Sequence, residues 1–112
     1  MNNVEEIVQQ QLEAYNNQDI EAYVDTFSDE VELLELPGNE VTISGKDALR
    51  THYEARFKQN PNLRGEVRQR MVYGNIVICG ETLHGLAGGE TVDLMAIYQV
   101  ENSRIRRIWF MR

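Results

Sequence analysis

At 112 residues, with 42% apolar and 26% charged side chains, two prolines and eight glycines, the chain has the makings of one ordinary globular domain over residues 1–112, which excludes collagen-like, disulfide-scaffold and largely disordered classes. A formal charge of -7 excludes the basic surface that a nucleic-acid partner needs, because binding to phosphate works by releasing counterions to Lys and Arg. A single cysteine, Cys79, leaves no intrachain disulfide, the first residues lack the plan of a signal peptide, and no apolar run approaches the roughly 20 residues that span a bilayer; the expectation is a cytoplasmic protein without membrane contact.

Val4, Ile7, Val8, Leu12 and Tyr15 recur at helical spacing with Glu5, Glu6, Gln9, Gln10 and Glu13 on the other face, which predicts an amphipathic helix over residues 3–16. Asn16-Asn17 ends it. Asp19 then caps a shorter helix in which Ile20, Tyr23, Val24 and Phe27 repeat the pattern. Residues 30–36 switch to period two and stop at Pro37-Gly38, and Val41-Thr42-Ile43 makes a second short extended piece. Ser44 and Asp47 have the spacing of a capping box for a third helix, whose stripe is Leu49, His52, Tyr53 and Phe57 and which stops before Asn60-Pro61. Beyond Leu63, Gly74-Asn75, Gly88-Gly89 and Asn102-Ser103 divide the chain into four strands of about 9–12 residues, an antiparallel meander that requires no parallel crossover.

Helix, helix, strand, strand, helix and four long strands make an α+β domain. A long meander twists and curls, and three amphipathic helices cover only its concave face, so the expected shape is a half-open cone, its mostly antiparallel sheet strongly curved and its apolar interior forming a pocket.

The sequence holds no phosphate loop, CxxC pair, HExxH, dinucleotide fingerprint or GxSxG elbow. His52 and His84 lie far apart and the cysteine is alone, so neither a metal nor a cofactor is expected, and Cys79, inside an apolar strand, reads as a core residue. The candidates are titratable and aromatic residues on faces that should be apolar. Val31, Leu33 and Glu35 share one strand face; if it looks inward, Glu35 is a carboxylate in low dielectric, pushed toward a neutral pKa and suited to moving protons. Leu34 and Leu36 occupy the opposite face, and the pattern alone leaves both orientations open. His52 on an apolar stripe is either hydrogen-bonded packing or a proton shuttle. His84 belongs either to a hairpin rim or to a pocket. Tyr15, Tyr23, Phe27, Tyr53, Met95, Tyr98 and Trp109 read as core and interface residues, any of which can contact a ligand. The arginines of the later half coat strands or line a pocket or subunit contact, Arg112 foremost among them.

Asn17-Gln18-Asp19-Ile20-Glu21-Ala22-Tyr23 between the first two helices, Phe27-Ser28-Asp29-Glu30-Val31 entering the first strand, Ser44-Gly45-Lys46-Asp47-Ala48-Leu49 opening the third helix, and Tyr98-Gln99-Val100-Glu101-Asn102-Ser103-Arg104-Ile105 at the last hairpin stand in one order along the chain. In that order the sequence resembles the superfamily of ketosteroid isomerase, the SnoaL-like polyketide cyclases and nuclear transport factor 2. The resemblance implies a cystatin-like cone, a pocket between helices and sheet, and a homodimer through the outer sheet face; were that face itself the functional surface, Trp109 and Tyr73 would be its anchors. It places Glu35 where the isomerase holds its proton-moving carboxylate, Tyr53 at a supporting tyrosine and His52 at an aromatic pocket position. Gln11 stands where the isomerase has a tyrosine and Ala96 where it has a protonated acid. Losing one such donor typically costs about 100- to 1,000-fold in rate, so steroid isomerisation itself is not expected. Nor is the epoxide hydrolases' pattern of two aspartates bridged by an arginine present.

The expectation is therefore a small-molecule pocket protein that transfers a proton on a small apolar or cyclic substrate. Glu35 and His52 would be catalytic, and Gln11, Tyr15, Phe27, Leu33, Tyr53, His84, Ala96, Tyr98 and Phe110 would line the pocket. Two other readings stand beside it: a protein that binds a ligand without changing it, and a dimerisation module with a vestigial pocket.

Overall fold

A computed structural model describes residues 3–112. The elements run α1 (Asn3–Asn16), α2 (Ile20–Asp25), β1 (Phe27–Glu35), β2 (Glu40–Ser44), α3 (Lys46–Gln59), β3 (Arg64–Tyr73), β4 (Ile76–His84), β5 (Val92–Glu101) and β6 (Arg104–Met111). Three helices pack on one face of a six-stranded sheet, the cone expected of this order of elements. Asp19 caps α2, its Oδ1 accepting from the Ala22 N–H at 3.1 Å, which satisfies one of the helix's orphan donors. Among the described residues no helix is long and apolar enough to cross a membrane.

Three local expectations are corrected. α2 stops at Asp25, so Phe27 opens β1 instead of closing the helix. The capping box does not form: Ser44 is still in the strand ladder, opposite Glu32, and the chain turns on Gly45. Gly45 has φ 88°, a region that costs little only without a Cβ, and donates its N–H to the Val31 carbonyl at 2.7 Å. The four later strands do form the antiparallel meander expected, β3-β4-β5-β6, but the sheet order β2-β1-β6-β5-β4-β3 includes a parallel join that the sequence pattern does not predict: β6 runs parallel to β1, with Leu33 opposite Ile108 and Glu35 opposite Phe110. The physical reason is burial: pairing with β6 takes β1 off the edge and puts its apolar residues beside those of the last strand.

The core lies between sheet and helices. Tyr23, Phe27, Val31, Leu49, Val77, Cys79, Ile105 and Ile108 are essentially inaccessible to water. Tyr23 is their hub, with ring centroids 5.0 Å from Phe27, 4.8 Å from Tyr53 and 5.8 Å from both Tyr15 and Phe57. Tilted and edge-on pairs of this kind add about 0.5–1.5 kcal/mol each beyond their buried area. The outer face has no helix on it. There Val41, Leu34, Trp109, Ile97, Ile78 and Met71 are successive cross-strand partners, an apolar row across all six strands.

Candidate functional site

Between α1, α3 and the inner face of the sheet lies a cavity of about 250 Å³. Period two determines which strand residues reach it. On β4 the inward positions are Val77, Cys79, Glu81 and Leu83; on β5 they are Leu94, Ala96, Tyr98 and Val100. The helical walls come from Gln11 and Tyr15 on α1 and from His52, Tyr53 and Arg56 on α3, one turn apart on the same stripe. Leu33 and Glu35 of β1 and Phe110 at the end of β6 complete the lining, with Arg112 beside them.

Of the eleven residues predicted for the site, the structure brings eight together, Gln11, Tyr15, Leu33, Glu35, His52, Tyr53, Tyr98 and Phe110, and Tyr23 and Arg112, also singled out from sequence, line the cavity with them. Three others lie elsewhere. Phe27 is packed behind Tyr23 in the core, because α2 ends before it. Ala96 has the inward register but is fully buried between its ladder partners Cys79 and Phe110 and does not line the cavity. His84 falls on the opposite parity of β4 from Glu81 and Leu83, so it faces away and pairs with Glu66 at 2.8 Å.

Glu35 lines the cavity, but its environment differs from the low-dielectric one expected for an inward-facing carboxylate. It sits at the mouth with its side chain 32% exposed, and Arg112 Nη1 lies 2.8 Å from its Oε1. Arg112 also lies over the Phe110 ring, 5.7 Å from its centroid. His52, exposed at the same mouth, stands edge-on to Tyr53 at 4.9 Å. Partial desolvation, and then the nearby Arg56 cation, hold its pKa below 6.5, so it is neutral at pH 7.

The desolvated carboxylate is Glu81. It is 9% exposed, it lines the cavity, and Tyr98 donates a 2.6 Å hydrogen bond to its Oε2. Burial pushes its carboxyl pKa above the ordinary 4.5, against the opposing pull of the Tyr98 hydroxyl and the Arg70 cation. The tyrosines around it are fixed in the neutral form: burial raises Tyr98 well above its usual value and Tyr53 to about 12. Arg56 Nε donates to the Tyr15 hydroxyl at 3.4 Å. The cavity therefore has an ion-paired mouth, an aromatic wall lined with hydroxyls, and a buried acid.

Two of these residues were absent from the sequence reading although their signal was there. Glu81 stands two positions beyond the core residue Cys79 on the same strand, and Arg56 four positions beyond His52 on the same helix. Among the described residues no three His, Cys, Asp or Glu side chains gather to hold a metal ion, and burial raises the Cys79 thiol, leaving it a core residue.

Solved structures share this architecture over the whole chain. A cystatin-fold protein from Novosphingobium aromaticivorans is 26% identical, with a TM-score of 0.88 over 100% of this chain and 99% of that one. A candidate polyketide cyclase from Sinorhizobium meliloti is 19% identical, with a TM-score of 0.80 over 98% and 99%. A candidate ketosteroid isomerase from Kribbella flavida is 12% identical, with a TM-score of 0.84 over 97% and 76%; at these last two identities the likeness is one of fold. No curated protein matches the sequence. The family model of the SnoaL-like domain matches residues 8–108, and the chain belongs to that family.

Proposed function

We propose that the cavity binds a compact cyclic carbonyl compound and moves a proton on it. The observation that carries this reading is the buried Glu81 carboxyl on the cavity wall, held by Tyr98. Burial favours the protonated form of this carboxyl, and in that form it donates to a carbonyl oxygen, a task that neither Gln11 nor Ala96 takes over from the isomerase pattern. Glu35 at the mouth is the base. As its carboxylate takes the proton from the carbon beside the carbonyl, that C–H electron pair moves into the ring and the oxygen's growing charge is met by Glu81. In a ring with a C=C at the β,γ position, the dienolate takes the proton back at its γ carbon and the double bond moves into conjugation with the carbonyl, which completes an isomerisation; without that C=C, the proton returns to the same carbon and the outcome is exchange. His52, neutral at pH 7, and Tyr53 orient the substrate at the mouth.

One observation favours a second reading, binding without turnover: the Arg112 guanidinium already occupies the Glu35 carboxylate at 2.8 Å and must be displaced before that oxygen can reach a substrate C–H. Deuterium exchange into cyclohexanone in heavy water, followed by proton NMR, separates the two. The protein is expected to accelerate exchange beside the carbonyl, and Glu35→Gln to remove about 100-fold or more of the acceleration. Cyclohexanone that shifts the melting temperature yet exchanges no faster leaves the second reading standing.

The outer sheet face supports a homodimer. No helix covers its apolar row, whose ends are exposed at Val41 on β2 and at Met71 and Tyr73 on β3, and an apolar row that crosses one face can meet its own copy about a two-fold axis. Sedimentation equilibrium is expected to give a dimer that Ile97→Glu converts to monomer with its circular dichroism unchanged. A wild-type monomer at micromolar concentration rejects this interface.

A further inference from the structure

We infer that the cavity's occupant is a small, single-ring carboxylate that bears a hydroxyl group, its carboxylate held by Arg56 and its hydroxyl by the Gln11 carboxamide. This deepens the reading above, and rests on it, by giving the substrate a charge and a second polar end.

Arg56 is half-buried on the cavity wall, and the groups that act on it most closely are the Tyr15, Tyr53 and Tyr23 hydroxyls. Among the described residues it has no ion pair, and its two Nη groups make no hydrogen bond to the chain, since its side-chain bond runs from Nε to Tyr15. The other cavity arginine, Arg112, is neutralised by Glu35. In a chain of net charge -7, an unneutralised guanidinium in a cavity wall is a site for an anion, and its flat fork of donors matches a carboxylate.

A second, independent observation lies on the α1 side of the cavity. Gln11 is 6% exposed, it lines the cavity, and its Oε1 is buried without a hydrogen-bond partner, while its Nε2 reaches the Tyr23 hydroxyl at 3.5 Å. A hydroxyl both donates and accepts, so it serves this carboxamide in either orientation. The rings of Tyr15 and Tyr23, 5.8 Å apart and tilted by 49°, also line the cavity and give a ring-shaped ligand aromatic contacts. The cavity's roughly 250 Å³ lies below the about 300–1,000 Å³ of sites for drug-sized ligands, which limits the occupant to about one ring.

Isothermal titration of the full chain with benzoate, benzamide, para-hydroxybenzoate and para-hydroxybenzamide tests the assignment. Para-hydroxybenzoate is expected to bind tightest, by about tenfold or more over its amide. Arg56→Gln should bring acid and amide to within about twofold, Arg56→Lys should restore part of the preference, and Gln11→Leu should erase the advantage of the hydroxyl alone. Amides that bind as well as the acids, or an acid preference that survives Arg56→Gln, overturn the inference and leave the pocket reading intact. If none of the four probes nor cyclohexanone binds, the pocket reading itself falls, and this inference with it.

Discussion

Glu81→Gln is expected to lower proton-transfer activity by about 100- to 1,000-fold, the usual loss when one donor to a developing oxyanion is weakened or removed. The same substitution is expected to raise stability at neutral pH. Burial holds the folded-state pKa of Glu81 above its ordinary 4.5, so the folded protein binds this proton more tightly than the unfolded chain does. Its contribution to stability is whole below about pH 4.5 and is lost as pH rises through the raised value. Glutamine never ionises, and its carbonyl still accepts from Tyr98. The melting temperature of the variant should exceed that of the wild type at pH 7, with the difference shrinking toward pH 4. Equal losses of stability at both pH values would show that the carboxyl is there for packing, and unchanged activity would remove its assigned role.

Phe27→Ala is expected to cost about 3–5 kcal/mol, the range for truncating a buried aromatic ring. Phe27 is fully buried at the start of β1 and lies 5.0 Å from Tyr23, on which four aromatic neighbours converge. Nothing nearby can collapse into the gap without disturbing that cluster. Against a total stability of about 5–15 kcal/mol for a natural domain, the loss is large. Urea unfolding should show a lower midpoint at unchanged slope, and a loss below about 1 kcal/mol would mean that the ring is not the packing centre described.

The three helices were legible because each carries an uninterrupted 3.6-residue stripe, and α2 has its Asp19 cap in plain view. The parallel join of β1 to β6 was not, since nothing local in residues 27–35 reports a partner at residues 104–111. The face of Glu35 was ambiguous for a physical reason: a register shift between Leu33 and Leu34 accompanies burial on both sides, Leu33 in the core and Leu34 against Val41 and Trp109 outside. Half of the candidate site followed from alternation. What alternation cannot show is that Arg112 reaches back to Glu35, or that Tyr98 and Glu81, on adjacent strands, meet at 2.6 Å. Those contacts decide which carboxylate is ion-paired at the surface and which is buried against a tyrosine hydroxyl.

The parallel pairing at the middle of the sheet also bears on how the protein is made. Leu33 finds its neighbour only when Ile108 has been synthesised, so a nascent chain emerging from the ribosome carries β1 with one edge bare until β6 has emerged. Folding of the whole sheet is then a late, cooperative event, and fragments truncated before β6 expose an apolar strand that invites aggregation.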